Sequence, residues 1–240
     1  MYGLNTFSIM NSKLETSYNI KNKIVSFMLN DSKLKNSNIN YNGKLSINPF
    51  DLSLNIDLKK YKLSKLFNAD SLIIEFLKTK LLFNDNISAM ISVNIDSNKN
   101  NEVFKSSFIK FNIENGKINF DNTKLFNKKI GILELTDSNL FFKDDMLILN
   151  ANALIDIQNN VNLFSLFQTP KNFRKSIKTF LINFDYDLLA SQIIINDFKI
   201  DGKESNNEML SIITKFNNSV DYNLNKSRRV FNRLFSAYDG

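Results

Sequence analysis

The sequence predicts a mainly β fold: a long, twisted antiparallel sheet curled into an open groove, with a few helices and with C-terminal helices capping it. Three observations predict this fold. Apolar and polar residues alternate with period two in segment after segment, which gives a sheet one apolar and one polar face. Turn residues separate these segments at short intervals. Helical spacing replaces the alternation near residues 58–83 and 161–167 and after residue 204.

Five consecutive strands are predicted for the first 57 residues, near 4–10, 14–20, 23–29, 38–47 and 50–57. The last has the clearest pattern, with apolar residues at Phe50, Leu52, Leu54, Ile56 and Leu58. Asn48-Pro49 is the predicted turn before it, because proline cannot donate to a ladder and asparagine tolerates turn geometry. Such short connections leave no room for a helical crossover, so we expect antiparallel neighbours.

A helical insert is predicted next, because apolar residues recur at helical spacing around Leu66, Ile73 and Leu77. Asp70-Ser71 is the predicted N-cap between two short helices. Strands are then expected at 86–96, 105–114, 116–121, 130–143 and 146–157, and a short helix at 161–167. This helix should end before Thr169-Pro170, because the residue preceding a proline is biased away from helical geometry.

The last strands are predicted at 179–188 and 192–200, followed by helices. We therefore expect a β-groove domain over residues 1–204 and a C-terminal helical segment over 205–240. On the final helix, Arg228, Arg229 and Arg233 lie mostly opposite the apolar side. They are candidates for a contact with an anionic membrane surface or a partner protein, and the alternative is that they simply face water.

Composition argues against catalysis. The 240 residues include no cysteine and no histidine, which removes thiolate chemistry, the commonest metal ligand and the usual general base near neutral pH. With six glycines the chain cannot assemble a phosphate-binding loop. Asp185 and Asp187 are expected to be solvated outward positions, and Asp144-Asp145 a hairpin turn. We expect no enzyme activity, no metal and no cofactor.

Nucleic-acid binding is also not expected, despite the net charge of +7. The lysines are scattered, and most phenylalanines fall in step with the apolar side of strands. No stretch approaches the roughly 20 apolar residues of a membrane span, and residues 1–5 do not resemble the start of a signal peptide. Taken literally, these features predict a soluble, cytoplasmic chain. The alternative, indicated by strands that begin almost at residue 1, is that it is the C-terminal piece of a longer protein.

The second half of the chain resembles the C-terminal region of bacterial AsmA-like proteins. The most distinctive stretch is Leu-Phe-Ser-Leu-Phe-Gln-Thr-Pro-Lys at residues 163–171. The other stretches are 119–122 (Asn-Phe-Asp-Asn), 137–142 (Asp-Ser-Asn-Leu-Phe-Phe), 194–202 (Ile-Ile-Asn-Asp-Phe-Lys-Ile-Asp-Gly) and 225–229 (Asn-Lys-Ser-Arg-Arg). Over residues 41–95 the resemblance is less specific.

The resemblance implies a bridge-type lipid transporter. Such a protein has an extended β-groove in the periplasm, is anchored in the inner membrane by an N-terminal helix, and carries phospholipid toward the outer membrane in support of outer-membrane biogenesis. The family is defined by no catalytic residues or cofactors. This chain departs from the pattern because it has no anchor, so periplasmic, inner-membrane-anchored localisation would depend on a segment absent from this chain.

Two hypotheses follow for the apolar sheet face. In the first, phospholipid acyl chains cover it, and the small Ala151 and Ala153 leave room for a chain. The predicted groove residues are Leu52, Leu54, Ile56, Ile91, Val93, Ile109, Phe111, Ile113, Ala151, Ala153, Phe180, Ile182 and Phe184. In the second, the chain's own side chains close the core, and the protein is a structural or interaction module that docks an envelope partner.

Overall fold

The structure of the chain is a computed structural model that describes residues 1–9, 12–34, 36–66, 71–97, 103–219 and 224–239. Over these residues the chain is mainly β, with a mixed sheet of 13 strands and with four α-helices. This confirms the predicted mainly β class. The chain divides into two compact units, residues 1–125 and 126–240. The predicted boundary after residue 204 is therefore not where the chain divides.

The first unit is a series of sequential strands. They are β1 (Tyr2–Ile9), β2 (Ser12–Lys21), β3 (Ile24–Leu34), β4 (Ser37–Ile47), β5 (Phe50–Lys59), β6 (Ile87–Asp96), β7 (Ser106–Glu114) and β8 (Lys117–Asn119). Each pairs with the next, and the pairs are antiparallel except β5 with β6, which is parallel. The antiparallel prediction is wrong for that one pair. The helical insert carries the chain back to the end of the sheet at which β5 begins, so β6 runs in the same direction as β5, as in a parallel crossover.

The insert contains α1 (Leu72–Lys78), with 3-10 turns at Leu63–Lys65 and Leu81–Phe83. Ser71 caps the helix, because its Oγ accepts a hydrogen bond from the Ile74 backbone N–H at 3.2 Å. This confirms the cap predicted at Ser71, while Asp70 lies outside the described residues. Ile74 and Leu77 are fully buried. A short strand that the sequence did not predict, β9 (Lys124–Asn127), follows β8, and its alternation of apolar and polar residues is weak.

The second unit packs helices against strands. Its elements are β10 (Gly131–Lys143), β11 (Met146–Ile157), α2 (Asn160–Phe167), β12 (Thr179–Asp187), β13 (Gln192–Ile200), α3 (Asn207–Asn217) and α4 (Leu224–Ala237). The four strands form antiparallel pairs in chain order. The predicted turn at Asp144-Asp145 is confirmed, with Asp144 in the left-handed region at φ 53°. Helix α2 ends at Phe167, as the following Thr169-Pro170 predicts.

Helices cover one face of these four strands. Phe180 on β12 lies 5.5 Å from Phe235 on α4, centroid to centroid, and Phe164 on α2 lies 6.1 Å from the same ring. Ile212 and Ile213 on α3 belong to the same buried cluster. Edge-to-face aromatic pairs of this kind stabilise a core beyond the area that they bury. The C-terminal helices are thus part of the second unit's core, and this is why residues 205–240 are not a separate segment.

The free edge of β13 is closed by a side chain. Asn217, the last residue of α3, donates from Nδ2 to the Ile195 carbonyl at 2.8 Å and accepts from the Ile195 N–H at 2.9 Å. The amide thereby takes the place that a further strand would occupy. Edges left unpaired invite association with other chains, so this contact both anchors α3 and protects the edge.

We expect Asn217→Ala to lower the free energy of unfolding by about 1–3 kcal/mol, because two backbone groups lose their partner. Chemical denaturation measures the change. Asn218→Ala is the matched control, since the neighbouring Asn218 is exposed and should cost well under 1 kcal/mol. Equal losses for the two variants would contradict this role of Asn217.

Candidate apolar binding face

Strand pairing gathers the predicted groove residues of the first unit on one face. In the register of β5, β6 and β7, Leu54 lies opposite Ile91, which in turn lies opposite Phe111. Residues two apart along a strand share a face. The eight residues that share this one are Leu52, Leu54, Ile56, Ile91, Val93, Ile109, Phe111 and Ile113.

Burial divides these eight residues into two groups. The side chains on the β7 side are buried, with Ile109 at 2% and Ile113 at 1% exposure. Phe111 is covered by Phe120, whose ring packs edge-to-face at 4.9 Å, and Val93 is buried as well. By contrast, the other four are half-buried, and they are Leu52, Leu54, Ile56 and Ile91. The face is therefore covered toward β7 and partly open toward β5.

The open part continues onto β4 and β3. Leu45 lies opposite Leu52, Tyr41 lies opposite Ile56, and Val25 lies opposite Leu45. These residues and Phe27 are half-buried too. We call the whole set the open strip, and it consists of Val25, Phe27, Tyr41, Leu45, Leu52, Leu54, Ile56 and Ile91. Its β3 and β4 members are not among the predicted groove residues, because Tyr41 and Gly43 interrupt the aliphatic pattern on β4.

Gly43 sets the shape of the open strip at its centre. A Cβ there would lie 2.5 Å from the Phe27 ring and 2.7 Å from the Ser53 carbonyl oxygen. Glycine is therefore required for the Phe27 ring to lie across β4, where it also meets Tyr41 edge-to-face at 6.2 Å. The Tyr41 hydroxyl is hydrogen-bonded to that of Thr16. This pairing satisfies the polar end of Tyr41 within the protein.

The open strip ends at buried residues at one end of the strands and reaches exposed residues at the other end. Toward the buried end, Ile39, Leu58 and Ile95 are buried on the same face. Toward the other end, Ile47 is 69% exposed and its partner Phe50 is half-buried. An apolar ligand could therefore enter from the end of the strands at which Ile47 lies.

The second unit does not keep its predicted groove. Ala151, Ala153, Phe180 and Ile182 are buried, and Phe184 is half-buried against the same cluster. The cover comes from the chain itself, because α2, α3 and α4 contribute Phe164, Ile212 and Phe235, among others, to that cluster. The groove prediction is wrong for these positions. The physical reason is that the apolar sides of the C-terminal helices need the same surface that lipid would occupy.

Polar groups on the opposite face are satisfied by their neighbours. Asp185 accepts from Asn150 Nδ2 at 2.6 Å, and Asp187 accepts from the Leu189 N–H at 2.9 Å. Over the described ranges, no three potential metal-ligating side chains come together.

Burial raises the pKa of Tyr61, and burial together with the nearby Asp201 carboxylate raises that of Tyr238. Both phenols therefore stay neutral at physiological pH.

A hollow of about 630 Å³ lies over the first unit near β2, β3 and β4, separate from most of the open strip. Ser17, Asn19, Ser26 and Asn42 contribute to its lining. Tyr18, Phe27 and Met28 line it as well, so its wall is mixed and it adjoins the open strip at Phe27.

The three predicted surface arginines differ in exposure. Arg229 and Arg233 are exposed on α4, whereas Arg228 is half-buried. Arg228 is therefore less accessible to a membrane or a partner than the other two. Within the described part of the chain, no helix has the length and apolar character needed to cross a bilayer. No family model, curated protein or solved structure matches this chain.

The contrast between covered and open positions predicts different mutational costs on one strand. Leu58 is 6% exposed, and Leu54 is half-buried on the same face of β5. We expect Leu58→Ala to cost about 2–5 kcal/mol of unfolding free energy and Leu54→Ala about 1 kcal/mol. Chemical denaturation of both variants measures this. A loss at Leu54 as large as that at Leu58 would mean that the open strip is filled by the protein.

Proposed function

We propose that the first unit binds a phospholipid acyl chain on the open strip, as a segment of an AsmA-like envelope protein. The observation that carries this proposal is the open strip itself. Its eight apolar and aromatic side chains are contiguous, none is charged, and all are only half-buried by the rest of the protein. Water against such a surface is unfavourable, and each methylene that a lipid buries there contributes roughly 0.8 kcal/mol.

The dimensions of the open strip suit a single acyl chain. Along β5 it runs from Leu52 to Ile56, a distance of four residue steps of about 3.3 Å, or about 13 Å. One leaflet of a bilayer has a hydrocarbon thickness of about 15 Å, half of the ~30 Å core. A chain that fills one leaflet would thus find an apolar contact along most of its length, with its head group at the end near Ile47.

The proposed role in the cell is passive conduction. Phospholipid would slide along apolar surface between the inner and outer membranes in support of outer-membrane biogenesis, and this chain would perform no chemical step. Periplasmic localisation at the inner membrane is part of the same proposal. The resemblance of the second half to AsmA-like proteins supports it.

A second candidate function is favoured by the second unit. Its sheet face is filled by α2, α3 and α4, which is the closed core that the interaction-module hypothesis expects. Under this alternative the chain docks an envelope partner and carries no lipid. The two functions can be separated by asking whether purified protein retains phospholipid.

Native mass spectrometry after gentle purification is the direct test. We expect part of the wild-type protein to show the added mass of a bound phospholipid. Leu54→Asp places a charge in the centre of the open strip and should weaken binding of a fluorescent fatty acid at least about tenfold, since a leucine contact of roughly 1.5–3 kcal/mol is lost. Ser53→Asp is the matched control, because Ser53 is exposed on the other face of the same strand.

Circular dichroism should show that both variants are folded. Phe111→Asp is unsuitable, because Phe111 is buried against Phe120 and a charge there would unfold the sheet. Wild-type protein with a clean ligand-free mass, or equal fatty-acid binding by Leu54→Asp and Ser53→Asp, would reject the lipid proposal and favour the interaction module.

A further inference from the structure

Basic residues are segregated along two segments of the second unit. Residues 157–184 contain Lys171, Arg174, Lys175 and Lys178 and no Asp or Glu. Residues 222–238 contain Lys226, Arg228, Arg229 and Arg233 and again no Asp or Glu. The whole chain has 24 acidic residues, so two segments with eight basic residues and no acidic one carry a marked local positive charge.

The fold brings these two segments together. Helix α4 packs against α2 and against the 3-10 turn Lys171–Phe173. The Phe167 and Phe231 rings lie 5.1 Å apart, and Asn232 donates from Nδ2 to the Gln168 carbonyl at 2.9 Å. The two basic segments therefore form one side of the second unit, which we call the basic helical side.

Exposed cations and exposed apolar side chains occur together on the basic helical side. Arg229 and Arg233 are exposed one turn apart on α4, and Lys171 is exposed on the neighbouring turn. Phe173 is 41% exposed and Val161, on α2, is 70% exposed. Within the described ranges, no carboxylate forms an ion pair with either arginine. Cations around accessible apolar groups are typical of surfaces that lie in the headgroup region of a bilayer.

The opposite face of the same unit carries several acidic groups. Asp137, Asp185 and Asp197 lie on the polar face of β10, β12 and β13, where Asp137 accepts from Asn152 at 2.9 Å and Asp197 pairs with Lys199 at 3.3 Å. Positive charge is therefore concentrated on α4 and residues 171–178, whereas these carboxylates lie on the sheet; Glu208 on α3 is an acidic residue on the helices. Such a distribution would orient the unit on a negatively charged plane.

We infer that the basic helical side is a docking surface for an anionic phospholipid bilayer. Arg229, Arg233 and Lys171 would contact lipid phosphates, and Phe173 and Val161 would enter the boundary between head groups and acyl chains. A bilayer fits better than nucleic acid, because exposed valine and phenylalanine gain from hydrocarbon. This surface belongs to the second unit and does not depend on the open strip of the first.

Vesicle co-sedimentation tests the inference. We expect the full chain to sediment with vesicles of mixed phosphatidylcholine and phosphatidylglycerol, and to bind pure phosphatidylcholine much more weakly. A basic residue close to an anionic surface contributes about fivefold to binding, so Arg229→Gln with Arg233→Gln should weaken binding about 25-fold. Raising the salt from about 0.1 M to about 1 M should also release the protein, because it shortens the screening length from ~10 Å to ~3 Å.

A charge-matched control is Lys44→Gln with Lys143→Gln. Both lysines are exposed on strands, and their loss lowers the net charge by the same amount without changing the basic helical side. This pair should weaken vesicle binding less than about threefold. Phe173→Ser tests the apolar contribution separately, and should weaken binding even at low salt. All substituted side chains are exposed, so thermal melts should be close to that of the wild type.

Three results would overturn the inference. They are equal loss of binding by the arginine pair and the lysine pair, equal binding to neutral and anionic vesicles, and binding to an RNA oligomer without binding to vesicles. Leu54→Asp keeps the two proposals apart, because it should weaken fatty-acid binding at least about tenfold and leave vesicle binding unchanged.

Discussion

Every part of this structure responds to one constraint, which is that the apolar face of a sheet must be removed from water. Apolar area left in water costs roughly 25 cal/mol per Å², and strands such as β5 and β11 present an apolar side chain at every second residue. The two units meet this constraint differently. The second covers its face with three helices, whereas the first covers the β7 side and leaves the open strip half-buried.

The polar face has its own solution, which uses the abundance of asparagine in the chain. Cross-strand amide pairs join Asn55 to Asn42 and Asn183 to Asn152, at 3.3 and 2.8 Å between the donor nitrogen and the acceptor oxygen. Pairs directly opposite each other on antiparallel strands stabilise a sheet without apolar contact. Asn217 extends the same chemistry to the edge of β13. The abundant asparagines thus supply interstrand contacts on the solvated face.

The two proposed binding surfaces divide the work of a lipid-handling protein. The open strip offers an uncharged apolar surface about as long as one leaflet is thick, and the basic helical side offers cations and accessible apolar groups suited to a headgroup region. One surface would hold a lipid tail and the other would keep the protein at a membrane. Neither needs a nucleophile, a metal or a cofactor, in agreement with a chain that lacks histidine and cysteine.

Much of the fold followed from the amino-acid pattern alone. The alternation predicted the strands to within a few residues, and apolar spacing predicted the insert around α1, the helix α2 and the C-terminal helices. Local signals such as Ser71 and Thr169-Pro170 placed helix ends, because caps and proline act through near neighbours in the chain. Period two likewise placed the groove positions of each strand on one face, while the pairing that joins β5, β6 and β7 came from the tertiary structure.

Only the tertiary structure decided which faces are covered and by what. Parallel pairing of β5 with β6, the division near residue 125 and the packing of α3 and α4 on β12 and β13 all depend on contacts between residues distant in sequence. Period two places Leu54 and Phe180 on apolar faces equally well, yet one is half-buried and the other 4% exposed. Side-chain periodicity fixes orientation within a strand, whereas burial depends on the partner that another part of the chain brings to it.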